Sequence, residues 1–152
     1  MTPQEYINNA ICTKSPVSAI PTELNTPIGF DILHSVLGMQ TESAELTDTL
    51  KKSIFYGKPI DWVNCDEEVG DLLWYIAIYL NARGQTFENI MEQNIAKLQK
   101  RFPNKFTSFD AQHRDLEGER NILESFNSHI NKPISSIKQE SNEIYNKITR
   151  NG

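Results

Sequence analysis

Basic tracts are missing from this sequence. Its 15 Lys and Arg are outnumbered by 20 Asp and Glu, for a formal net charge of −5 and a pI near 5.2. With no run of cations to meet a phosphate backbone, a nucleic-acid polymer is not expected as a partner. A single nucleotide stays open, because a bound metal ion can bring the positive charge. Cysteine is also scarce: Cys12 and Cys65 form no C-x-x-C pair and no disulfide framework, and they read as reduced thiols of a cytosolic protein. Long apolar runs are absent. The longest, Leu72 to Leu80, falls well short of the roughly 20 residues that span a bilayer. The first residues lack a basic stretch followed by an apolar one, so no secretory leader is expected. These absences together predict a soluble, cytoplasmic protein with no membrane partner. No P-loop, G-x-G-x-x-G or G-x-S-x-G motif occurs. The three histidines, His34, His113 and His129, do not stand in the Glu-x-x-His pairs that di-iron bundles require.

Strand-like alternation is nearly absent too, and the sequence reads as helices. Its 152 residues suit one ordinary domain. Residues 3–11 predict a short helix, and the stretch from Thr13 to Pro27, with three prolines, an irregular arm. A long helix is expected from Gly29 or Asp31 to Phe55, with Ile32, Leu33, Val36, Leu37, Met39, Leu46 and Leu50 as its apolar stripe. Tyr56-Gly57-Lys58-Pro59 supplies a turn, Asp61 a cap, and a second helix runs to Gly84. That helix is apolar nearly all round, as Val63, Val69, Leu73, Trp74, Ile78 and Tyr79 show, so it must be covered on more than one side. A third helix begins after Thr86, with Met91, Ile95, Leu98 and Phe102 as core stripe, and stops at Pro103. Further helices are expected over 110–126 and 134–149. The expected fold is an all-α, four-helix bundle with additional C-terminal helices. Its parts are an N-terminal arm (1–28), a central domain (29–130) and a C-terminal helical extension (131–152).

Two acidic pairs stand out, Glu42-x-x-Glu45 and Glu68-x-x-Asp71. Residues three apart on a helix are neighbours, so each pair puts two carboxylates on one face. Both pairs lie equally far from the turn at Tyr56-Gly57. Antiparallel helices hinged there bring all four acids to one height. Four carboxylates at close range repel one another, and a hard cation with oxygen ligands relieves the repulsion. Mg²⁺, with Mn²⁺ as substitute, holding a phosphorylated substrate is the expectation. On the third helix Asn94, Lys97 and Arg101 share a face about 100° from the core stripe. Packing against the second helix would level them with the acids, where the two cations would hold phosphate oxygens. The aromatic residues Phe55, Tyr56, Trp62 and Trp74 are candidates to stack on a base or to pack a dimer. Glu140-x-x-Glu143 repeats the acidic spacing but reads as an ordinary solvated face.

Four blocks now agree in order with a known family. They are Thr41-Glu42-Ser43-Ala44-Glu45-Leu46, Phe55-Tyr56-Gly57-Lys58-Pro59, Glu67-Glu68-Val69-Gly70-Asp71-Leu72-Leu73-Trp74, and Asn94-Ile95-Ala96-Lys97-Leu98 leading to Arg101-Phe102-Pro103. With 22 residues between Glu45 and Glu68, the chain resembles the MazG-like nucleoside triphosphate pyrophosphohydrolases, in the short single-domain form often carried by phages. Arg114 to Arg120 resembles a tail found in some members. Many members carry an acid just before the first glutamate, where this chain has Thr41. The resemblance implies Mg²⁺-dependent hydrolysis of a (deoxy)nucleoside triphosphate to monophosphate and pyrophosphate. It implies that Glu42, Glu45, Glu68 and Asp71 bind metal and that Lys97 and Arg101 stabilise the triphosphate, with Asn94 orienting it. Glu45 is the choice for general base. A homodimer or homotetramer is implied as well. The alternatives are a same-fold enzyme acting on phosphoribosyl-ATP or an alarmone, and a non-catalytic helical interaction protein.

Overall fold

Each helix among the described residues starts where a side chain can take over its unpaired N–H groups. The computed structural model describes residues 1–15 and 20–127, and every regular element within them is helical. Helix α1, Pro3–Cys12, opens with a reciprocal capping box between Thr2 and Glu5. Helix α2, Pro27–Tyr56, is 30 residues long. The Thr26 hydroxyl accepts from the Gly29 N–H at 3.0 Å, and Pro27 presets the first turn. It ends at Gly57, whose φ of 63° is a left-handed conformation that glycine adopts without strain. Helix α3, Trp62–Arg83, is capped by Asp61 as expected and ends at Gly84, also at φ 63°. Helix α4, Phe87–Arg101, begins behind the Thr86 hydroxyl.

The helix expected over 110–126 is two helices, α5 (Ser108–Gln112) and α6 (Leu116–Asn127). The break has a local cause. Asp115 accepts from the Gly118 N–H at 2.9 Å through its carboxylate and from the Glu119 N–H at 2.9 Å through its carbonyl. The chain therefore restarts a helix at Asp115 instead of continuing the one closed by His113. The helix expected over 134–149, the extension 131–152, His129, and Glu140 with Glu143 all lie outside the described residues.

Helices α2 and α3 form an antiparallel hairpin, and α4 packs on α6. Contacts between Arg101 and Glu119, Gln93 and Leu123, and Gln85 and Asn127 show that the second pair is antiparallel too. Two expectations about packing need correction. The apolar stripe of α2 is not its buried face: Leu33, Val36, Leu37 and Leu50 are exposed, Leu37 by 67%. What α2 buries is Gly29, Ser35, Gly38 and Thr49. Gly38 and Thr49 meet α3, at Tyr75 and Asn64, while Gly29 lies against the backbone of Leu24. On α4, Met91 and Ile95 are exposed while Gln93 is buried, because its amide reaches the Leu123 carbonyl of α6. Among the described residues the fully covered apolar side chains are Cys65, Leu80 and Ala82.

Candidate metal centre

The seam between α2 and α3 brings members of the two acidic pairs together. Gly38, Glu42, Glu45 and Thr49 on α2 are spaced four, three and four, and so are Asn64, Glu68, Asp71 and Tyr75 on α3. Such spacing keeps four side chains on one helix face. Two contacts fix the register. The Thr49 hydroxyl donates to the Asn64 Oδ1 at 2.9 Å near the turn. At the far end a Cβ placed on Gly38 would overlap the Tyr75 ring. Both pairs are centred on the same point, between Tyr56 and Gly57, where the sequence put the hinge. The acids lie between these two contacts.

Carboxylate oxygens of Glu42, Glu68 and Asp71 come within 4.8 Å of one another. Glu68 is buried, Glu42 half-buried and Asp71 exposed, so the trio is rooted in the seam and opens to solvent. The Glu42 carboxyl is held protonated to higher pH than an ordinary glutamate. Desolvation is the leading cause; the Glu68 carboxyl and the charges of Glu45 and Glu68 add to it, and the Thr41 hydroxyl opposes it. The Thr41 hydroxyl donates to the Gly38 carbonyl at 2.8 Å and lies 3.2 Å from Glu42. Three hard oxygen donors with no cationic side chain among them fit a hard divalent cation that keeps several waters, as Mg²⁺ or Mn²⁺ does.

Glu45 stands apart from the trio. It is exposed and lines a neighbouring groove with Ala44, Asp48, Thr49, Lys52 and Asn64. The cation lining that groove, Lys52, is already engaged with Asp48, and so is Lys51 beside it. Hydrogen bonds from Lys51 and then Lys52 pull the Asp48 carboxyl down to about 2.

On α4, Lys97 donates to the Asn94 Oδ1 at 2.7 Å, so these two lie together as their spacing implied. The helix that carries them has α6 as its main partner, not α3. Arg101 is engaged through Nε and one terminal nitrogen. Its guanidinium forms a two-pronged bond to Glu119, at 3.0 and 2.7 Å, and Arg114 grips the same carboxylate at 3.2 and 2.7 Å. Glu119 is 3% exposed, and Arg101 and then Arg114 hold its carboxyl far below the usual range. In the sequence, Glu119 and Arg114 belong to the stretch from Arg114 to Arg120 and carry no signal of a role. Nothing in their spacing from Arg101 announces the contact, which depends on α6 folding back along α4. Asn64 was missed as well, although its place four residues before Glu68 was a usable signal.

A family model described as the MazG nucleotide pyrophosphohydrolase domain matches residues 32–106. The match covers the acidic trio, Glu45, Asn94, Lys97 and Arg101, and stops before Arg114 and Glu119. Comparison with curated proteins and with solved structures returned no match.

Proposed function

Through residues 32–106 the chain belongs to the MazG nucleotide pyrophosphohydrolases, and from that premise we propose that it hydrolyses a (deoxy)nucleoside triphosphate to the monophosphate and pyrophosphate. The observation that carries this reading is the convergence of Glu42, Glu68 and Asp71 inside the matched segment. Those three side chains would hold Mg²⁺, which supplies charge stabilisation for the triphosphate and a lowered pKa for an attacking water. Glu45, exposed beside the trio, takes the proton from water. The oxygen of that water bonds to the α-phosphorus, the bond to the α,β-bridging oxygen breaks, and pyrophosphate leaves with the electron pair. Lys97 donates to a neutral amide, so its charge remains available for phosphate oxygens. Arg101 we assign to the Glu119 clasp that steadies α4 against α6.

We further propose that the working form is a homodimer or homotetramer. Leu37, Ile54, Phe55, Trp62, Val63, Val69 and Trp74 are all exposed in the single chain. Apolar surface on this scale along one hairpin is characteristic of a face that another protein surface covers.

The deciding experiment is a panel of nucleotides, phosphoribosyl-ATP and alarmones with Mg²⁺, resolved by chromatography, with one reaction run in ¹⁸O-labelled water. Label in the monophosphate is the expected result. Label confined to pyrophosphate would place the attack on the β-phosphorus, and orthophosphate as first product would end the proposal. No turnover of any panel member would favour a helical interaction protein.

A further inference from the structure

The buried acid of the trio stands at the end of a hydrogen-bond chain through Asn64 and Thr49. Glu68 is 5% exposed, and its Oε1 accepts a 2.6 Å hydrogen bond from the Asn64 Nδ2 one turn earlier on α3. The other end of the same amide, Oδ1, accepts from the Thr49 hydroxyl across the seam at 2.9 Å. Thr49 is itself buried. The direction of this chain of bonds is set by chemistry. An ionised carboxylate can only accept, so Asn64 must turn its NH₂ towards Glu68. Its carbonyl oxygen then faces α2, and a hydroxyl meeting that oxygen must donate. The Thr49 hydroxyl also lies 3.3 Å from the Glu45 carbonyl, but it has a single proton. Giving that proton to Glu45 would set two lone pairs against each other at Asn64. Asn64 is anchored at its backbone too, since its N–H donates to the capping Asp61 carboxylate at 3.1 Å.

We propose that Thr49 and Asn64 are positioning residues for the metal centre: Thr49 fixes the Asn64 amide, and Asn64 holds one oxygen of Glu68 so that the other is presented to the cation beside Glu42 and Asp71. The inference rests on the metal reading above. A hydrogen bond to the non-ligating oxygen of a metal-binding carboxylate fixes its rotamer, and loss of such partners costs metal affinity even when every ligand remains. The arrangement suits this site because Glu68 is its buried member and forms no ion pair among the described residues.

The test titrates the metal-free, full-length protein with Mn²⁺ by calorimetry in the absence of nucleotide, with helicity and melting temperature measured on the same samples. Asn64→Ala is expected to weaken Mn²⁺ binding by about tenfold or more. Thr49→Val, which keeps shape and removes the hydroxyl, should weaken it by several-fold, and Thr49→Ser should restore it to within about twofold of the parent. Should Asn64→Ala fail to fold, the Thr49→Val and Thr49→Ser pair decides. Variants that lower the melting temperature yet bind Mn²⁺ like the parent would overturn the proposal and leave these residues as seam packing. A parent protein that binds no Mn²⁺ would instead overturn the metal reading itself, and the positioning role with it.

Discussion

Glu68 is the residue on which the site turns, being an acid buried in the helix seam with an amide holding one oxygen. Replacing it by Gln keeps volume and removes charge. Turnover in Glu68→Gln is expected to fall by more than the roughly 10–100-fold typical of outer partners, with helicity unchanged by circular dichroism. Near-parent activity would remove Glu68 from the metal set. Glu119 is a buried acid of a different kind, neutralised by two arginines and not by a cation. Its carboxyl is depressed in the folded chain, so its stabilisation is complete above the unfolded glutamate value of about 4.3 and is lost as pH falls below it through the folded value. Melting temperature, followed from pH 7 to pH 3, should therefore drop below about pH 4.3. In Glu119→Ala that drop should be shallower, from a lower starting point, because the group responsible is gone. An acid limb identical to the parent's would assign the transition to other carboxyls.

At the scale of the elements, the α2–α3 hairpin is joined by a seam of small and polar side chains where most helix pairs would use apolar ones. Gly38 is what allows it, since the Tyr75 ring occupies the space a Cβ would need. The ring is held in turn by edge-on contacts with His34 and Trp74, at centroid distances of 5.5 and 4.9 Å. Gly38→Ala should accordingly destabilise the fold by about 1–3 kcal/mol, the usual cost of overpacking, and should weaken Mn²⁺ binding because it spreads the helices one turn from Glu42. Urea unfolding alongside a metal titration would measure both. A variant as stable as the parent would show that Tyr75 can swing aside. The helix ends were legible before any packing was known, because Asp61, Thr86, Gly57 and Gly84 act on their own backbone within one turn. The α5–α6 break was not, because residues 110–115 are polar apart from Ala111 and offer no apolar stripe whose end could mark it; the bonds of Asp115 do so in the fold.

For the whole molecule, the balance of buried and exposed side chains argues for association. Few apolar side chains are fully covered within the described residues, while broad apolar stripes of α2 and α3 face outward. Sedimentation at micromolar concentration should give a dimer or larger, and a monomer with full activity would exclude the assembly proposed. No helix among the described residues is long and apolar enough to cross a membrane. The sequence by itself determined the all-α class, the hinge at Tyr56-Gly57 and the levelling of the acidic pairs. Each of these follows from caps, turn residues and spacing, which act within a few residues or along one helix. The tertiary structure alone decided that Glu42, Glu68 and Asp71 converge while Glu45 stands aside, that Arg101 closes on Glu119, and that the small face of α2 is the buried one. Those outcomes depend on which distant side chain fills a given space or accepts a given proton, and spacing along the chain does not specify that.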